Sequence, residues 1–144
     1  MIAKSKIFEV YESQEGRRRQ LYTQNLIKGK NVYGEKLVTQ DNVEYREWDP
    51  FKSKLAASIL KGSPNICIRK NDAVLYLGSA SGTTVSHVSD IIGNEGFIFA
   101  VDIAQRVMQD LIFLCYERKN IAHMLADANK PDELKQIISA ADAI

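Results

Sequence analysis

Ala73–Leu77 is a short, wholly apolar run bounded by Asp72 and Gly78. A strand of that kind has no face to offer water, so it belongs in a parallel sheet with helices over it. The turn Gly78-Ser79-Ala80-Ser81-Gly82-Thr83-Thr84 follows at once, and Val85, Val88, Ile91 and Ile92 then recur at helical spacing. The pattern repeats. Gly93–Gly96 turns the chain, Phe97–Val101 reads as a second buried strand, and Val107, Leu111, Leu114 and Cys115 mark a second helix. Ile121–Ala126 reads as a third strand and Pro131–Ser139 as a third helix, and Ala140–Ile144 begins a fourth strand. Strand and helix at this spacing predict an α/β fold with a parallel, Rossmann-like sheet. A doubly wound sheet has two βαβαβ halves, and the chain holds one half and the first residues of the next.

The front of the chain reads differently. Lys6–Tyr11, Arg19–Thr23, Glu35–Thr39 and Val43–Trp48 are rich in β-branched and aromatic residues and are separated by turn residues. Residues 1–48 are therefore expected to form a small antiparallel β domain, and 49–144 the incomplete Rossmann-like domain. Between them, Asp49 reads as an N-cap with Pro50 at the first helical position. Phe51, Leu55, Ile59 and Leu60 mark the buried face of a helix over 50–61, ended by Gly62-Ser63-Pro64.

Charge divides in the same way. Residues 1–70 carry 14 lysines and arginines against 8 acids, whereas 71–144 carry 5 against 10. A basic front half suits a polyanion such as RNA, although basic faces also occur on sheets that bind nothing. No 18-residue apolar run and no secretory signal is visible, so a membrane role is not expected and the cytoplasm is the expected compartment. Cys67 and Cys115, the only cysteines, have no ligand spacing, which excludes a disulfide framework and a structural zinc site. No metal site is expected.

Three places carry chemistry. In the turn after the first strand, Gly78 permits a tight bend and Gly82 a close backbone approach, while Thr83, Thr84 and the helix N-terminal amides offer donors to an anion. The spacing lacks GK[ST], so this is no P-loop. Asp102 follows the second strand, where an acid accepts hydrogen bonds from a ribose diol, or else caps a helix. Asp127-Ala128 follows the third strand, where an acid accepts from the exocyclic amine of adenine, or else forms a turn.

Four stretches then resemble the fibrillarin family: Arg46-Glu47-Trp48-Asp49-Pro50-Phe51-Lys52-Ser53-Lys54-Leu55-Ala56-Ala57, Tyr76 through Ile91, Gly96 through Arg106, and Leu125-Ala126-Asp127-Ala128-Asn129-Lys130-Pro131. The resemblance runs over essentially the whole chain and is to the archaeal form. It implies a Rossmann-like S-adenosylmethionine-dependent methyltransferase sheet and 2′-O-ribose methylation of rRNA and tRNA guided by box C/D small RNA. It implies S-adenosyl-L-methionine as cofactor, bound by Gly78, Ala80 and Gly82, with Thr83 and Thr84 at the methionine end, Asp102 and Ile103 at the ribose, and Asp127 and Ala128 at the adenine. The family usually has Glu where Asp102 stands.

The resemblance assigns a catalytic or substrate-orienting role to Lys54, which from its own surroundings in sequence is a lysine on an amphipathic helix. It implies as partners a Nop-type scaffold protein, a kink-turn-binding ribosomal-type protein, the guide RNA and its target. The family's catalytic aspartate and a second lysine have no counterpart before Ile144, so the chain reads as C-terminally truncated. A paralogue that binds cofactor or scaffold without catalysis is the alternative expectation.

Other residues are weighed on their patterns. Arg17-Arg18-Arg19 is a candidate for phosphate contact or a solvated turn. His87 falls on the more polar side of its helix. His123 sits in a buried-strand pattern and is expected to be packed. Cys115 reads as core, and Trp48 as core at the junction of the two regions.

Overall fold

A computed structural model describes residues 1–144. The first sheet is antiparallel, in the order β1 (Ala3–Lys4), β2 (Val10–Glu15), β3 (Arg18–Gln24), β5 (Val43–Trp48) and β4 (Leu37–Gln40). Its hairpins follow from turn chemistry. Asp41 and Asn42, both at positive φ, make the two-residue link between β4 and β5, a conformation that Asp and Asn tolerate better than other side-chain-bearing residues. The pairing Leu21↔Trp48 and Thr23↔Arg46 puts Val10, Leu21, Thr23, Arg46 and Trp48 on the inner face. Tyr11, Tyr22 and Tyr45 cluster with Ile2 on the outer face.

The second sheet is parallel, β6 (Ala73–Leu77), β7 (Phe97–Asp102) and β8 (Ile121–Leu125), with α2 (Thr83–Ile92) and α3 (Gln105–Glu117) as crossovers. Ala143 bridges to Val74 on the free side of β6, and the Leu75 N–H donates to the Ala143 carbonyl at 2.9 Å. The expected fourth strand therefore begins beside the first, and β6 lies between partners at a switch in strand order. One hydrophobic cluster of 18 buried residues draws on both sheets: Val10, Leu21 and Trp48 meet Val85, Val88, Ile98, Leu111 and Leu114.

Helix α2 is enclosed between the sheets, which corrects the expectation for His87. The imidazole is fully buried and stacks on the Trp48 ring with centroids 4.9 Å apart. Its Nδ1 lies 2.8 Å from Thr23 Oγ1 and its Nε2 2.7 Å from Tyr33 Oη. The Thr23 hydroxyl donates to Asp90 Oδ2 at 2.7 Å, so it accepts from Nδ1–H. Burial and the nearby Arg46 and Arg118 guanidinium groups disfavour a charged ring, so Nε2 accepts the single Tyr33 hydroxyl hydrogen in preference to the Glu47 carbonyl 3.0 Å away. That assignment is a neutral histidine. Beside it, Arg46 reaches Glu35 at 2.6 Å and Asp90 at 2.8 Å, and Arg118 reaches Asp90 at 2.6 Å, with all four side chains at most 2% exposed. Two cations face two anions; Ser86 Oγ accepts from Arg46, Ser89 Oγ accepts from Arg118, and the Leu26 N–H donates to Asp90 to complete the shell.

Several boundaries differ from expectation for local reasons. The strand expected at Lys6–Tyr11 starts at Val10, because Glu9 adopts positive φ and Val10 N–H folds back onto Ile7. Glu35 lies outside its expected strand because its carboxylate accepts the Val32 and Tyr33 N–H groups. The helix expected over 50–61 is α1 (Lys54–Leu60): Asp49 takes the Phe51 N–H at 2.8 Å in a turn, and Ser53 caps the helix through Ala56 N–H. Phe51 is consequently 95% exposed. His123 is also exposed, since β8 is an edge strand. The third helix is short, α4 (Pro131–Lys135), and Trp48 is fully buried as expected.

Candidate functional site

The carboxyl ends of β6, β7 and β8 bring the glycine-rich turn, Asp102-Ile103 and Asp127-Ala128 to one edge. The turn is tied down over β7. Gly78 and Ser79 N–H both donate to the Val101 carbonyl, at 2.8 and 3.0 Å. Ala80 sits at φ +47, costly for a residue with a Cβ, and its N–H donates to Asp102 Oδ2 at 2.7 Å. The other Asp102 oxygen accepts from Ala104 N–H at 2.8 Å. Asp102 is thus a clasp between the turn and the start of α3, with a second lone pair free on each oxygen.

The two glycines do different work. Gly78 faces open space, with nothing within 4 Å of where a Cβ would stand. Gly82, the N-cap of α2, is buried, and a Cβ there would lie 2.5 Å from Leu114 Cδ2. A close approach at Gly82 is made by α3, through Leu114, 32 positions on in the chain. Thr83, Thr84 and Val85 N–H, in the first turn of α2, have no acceptor within the helix.

Thr83 lines a cavity of about 640 Å³ with Ser81, Tyr33 and Phe113. The Thr84 hydroxyl points the other way and donates to Ser53 Oγ at 3.0 Å. Burial pushes the Tyr76 phenol pKa up and the nearby Thr84 hydroxyl pulls it partly back. Lys54 is exposed at the start of α1, with its Nζ in no ion pair or hydrogen bond, and shares a cavity of about 680 Å³ with Gly78, Leu77 and Tyr76. Ile103 and Ala128 are exposed, whereas Asp127 Oδ1 closes its own turn by accepting from Asn129 N–H at 2.9 Å. Ser53 and Tyr76 were not anticipated. The signal for Ser53, a serine three residues ahead of Ala56, was overshadowed by Asp49-Pro50. In the basic run, Arg19 is held by Glu12 at 2.6 Å, and Arg17 and Arg18 are exposed.

The arrangement offers backbone donors, a carboxylate with acceptor capacity, exposed aliphatic side chains and an unpaired cation. That donor set suits a ligand with both an anionic end and a diol.

Known proteins share this arrangement of elements. The chain is 54% identical over 138 residues to the fibrillarin-like rRNA/tRNA 2′-O-methyltransferase of Methanosarcina barkeri, covering 96% of this chain and 58% of that one. It is 48% identical over 133 residues to the rRNA 2′-O-methyltransferase fibrillarin of Rattus norvegicus, 90% of this chain and 41% of that one. The Aeropyrum pernix fibrillarin structure, solved with natively bound S-adenosyl-L-methionine, matches the whole chain and 65% of its own with a TM-score of 0.92 at 40% identity. A structure of a fibrillarin/Nop5p complex matches 92% of this chain and 57% of its own with a TM-score of 0.76 at 43% identity. The chain spans about 58% of the length of the Methanosarcina relative. With the fibrillarin family model matching residues 1–144, the chain belongs to the fibrillarin family.

Proposed function

We propose that this chain forms the cofactor-binding part of an S-adenosylmethionine-dependent RNA ribose 2′-O-methyltransferase. The observation that carries the reading is the convergence of the glycine-rich turn, Asp102 and Asp127 at the ends of three parallel strands, in a chain so similar to a fibrillarin solved with S-adenosyl-L-methionine. The residues present fit that molecule. The unpaired amides of Thr83, Thr84 and Val85 would take its carboxylate, and the lone pairs left on Asp102 its ribose diol. Ile103 would lie beside the ribose, Ala128 would flank the adenine, and Asp127 would accept from the exocyclic amine. When bound, S-adenosyl-L-methionine supplies an electrophilic methyl group on a sulfonium.

The remaining work is alignment and ionisation of a weakly acidic ribose hydroxyl. Holding the reactants in line is worth up to about 7–11 kcal/mol. Lys54 would hold the 2′-oxygen and stabilise negative charge there as the proton leaves. The partners proposed are a Nop-type scaffold, on the similarity to the fibrillarin of the Nop5p complex, a kink-turn-binding protein, and a box C/D guide RNA paired with rRNA or tRNA. Pairing would select the target, so this chain needs no base-reading element. No helix is long and apolar enough to cross a membrane.

Calorimetric titration of the 144-residue chain with S-adenosyl-L-methionine tests the core of the reading. One-to-one binding, weakened at least ten-fold in Asp102→Ala with the fold retained, is expected. A folded wild-type chain that binds none of it overturns the reading.

A further inference from the structure

Phe51 is the most exposed aromatic residue of the chain, with 95% of its surface in water. Burying such a side chain is worth about 1.5–3 kcal/mol. Its turn is nonetheless held at both ends. Upstream, Asp49 Oδ1 accepts the Phe51 N–H at 2.8 Å and the Asp49 carbonyl accepts the Lys52 N–H at 3.2 Å. Downstream, Ser53 is buried, caps α1 and accepts from Thr84. The ring is therefore presented on a fixed backbone and is not part of a loop that must be ordered on binding.

The chemistry around it is cationic. Lys52 and Lys54 follow the position, both are exposed, and neither has a carboxylate partner. Lys52 Nζ reaches the Tyr33 carbonyl at 3.4 Å and sits 5.2 Å from the Tyr33 ring centroid, so its charge is fixed in place. The nearest acid in sequence, Asp49, has its carboxylate engaged by the turn. An exposed π-face followed in the chain by two ammonium groups without carboxylate partners is complementary to a nucleotide, which has a base to stack and phosphates beside it. An apolar protein surface would bury the ring but strip water from two lysines that have no carboxylate partner.

We propose that Phe51 is a stacking platform for an unpaired nucleotide of the RNA, with Lys52 taking an adjoining phosphate. The platform stands three residues before Lys54, so the stacked nucleotide would deliver a neighbouring ribose to that amine. This deepens the function proposed above and rests on it.

The test is the affinity of the 144-residue chain for a fluorescently labelled, unstructured oligoribonucleotide, read by anisotropy at several salt concentrations. Phe51→Ala should raise Kd about ten-fold with the salt slope unchanged, since stacking contributes about 1–3 kcal/mol per base. Phe51→Trp should keep wild-type affinity, and its emission should respond to RNA over the constant background of buried Trp48. Lys52→Ala should reduce the log–log salt slope by about 0.7. Thermal melting of the Phe51 variants should match wild type, as that side chain is almost wholly in water.

Wild-type affinity in Phe51→Ala overturns the proposal. So does a wild-type chain that binds S-adenosyl-L-methionine but not RNA, and that outcome leaves the cofactor reading standing. Loss of scaffold-protein binding in Phe51→Ala with RNA affinity intact overturns it in favour of a protein contact. A chain that binds RNA through Phe51 but no S-adenosyl-L-methionine upholds the platform and overturns the enzymatic reading.

Discussion

Thr84, in the first turn of α2, donates its hydroxyl hydrogen to Ser53 Oγ, the N-cap of α1, at 3.0 Å. Ser53 Oγ in turn accepts the Ala56 N–H at 3.3 Å. Two helix starts, one carrying the glycine-rich turn and the other Lys54, are thereby fixed to each other. Thr84→Val keeps the shape and removes the donor. It should cost about 1 kcal/mol by urea unfolding and speed hydrogen exchange at Ala56 and Ala57, while Thr84→Ser restores both. Unchanged exchange in the valine variant would show that the two helix starts are not coupled.

The charge cluster sets a larger effect. Asp90 receives Arg46, Arg118, Thr23 and the Leu26 N–H, and its side chain is fully buried. Asp90→Ala leaves two guanidinium groups short of an anion away from water. Breaking a buried pair from one side costs about 3–5 kcal/mol, a large part of any domain's stability. The urea midpoint should collapse, or the protein should fail to fold. A shift below about 1 kcal/mol would mean that water reaches the site.

Much of the second sheet was legible in the sequence and much of this cluster was not. Ala73–Leu77 is a strand over the residues expected, because an apolar run between Asp72 and Gly78 has one stable outcome. His87 was misjudged because helical periodicity sorts polar side chains toward solvent. Its partners Thr23 and Tyr33 come from 64 and 54 residues away, and local spacing carries no trace of them. At Gly82 the need for glycine was visible and the contact with Leu114 was not. Phe51 was assigned to a buried face because Asp49-Pro50 imitates a helix start, while Asp49 spends its side chain on a turn and Ser53 caps the helix instead.

His87 should make the protein acid-sensitive. Burial, then the nearby Arg46 and Arg118 guanidinium groups, hold its pKa well below 6.5. The unfolded chain therefore takes up a proton as pH falls through about 6.5 while the folded chain does not, and stability drops in that direction. The slope approaches about 1.4 kcal/mol per pH unit per proton. Glu35 adds to it only below 4.5: burial works to raise its pKa, but Arg46 and the backbone N–H groups of its turn outweigh burial and hold it down. Urea unfolding between pH 7 and 5 should show the decline, and His87→Gln, though less stable at pH 7, should flatten it. An equal slope in the variant would place the titrating group elsewhere.

Gly82 and Gly78 both adopt positive φ, yet their replacement should differ in kind. At Gly78 a Cβ meets nothing, so Gly78→Ala carries only the backbone cost of a left-handed residue, about 1–2 kcal/mol. At Gly82 the same cost is joined by a methyl group 2.5 Å from Leu114 Cδ2 and 3.1 Å from Leu111 Cδ1. Overpacking of this kind adds about 1–3 kcal/mol, and relief requires α3 to move away from the start of α2. Gly82→Ala should therefore unfold at a clearly lower urea concentration than Gly78→Ala. Adding Leu114→Ala should recover part of the difference in the Gly82 background and only destabilise the Gly78 background. If Leu114→Ala destabilises both equally, contact with α3 is not what reserves position 82 for glycine.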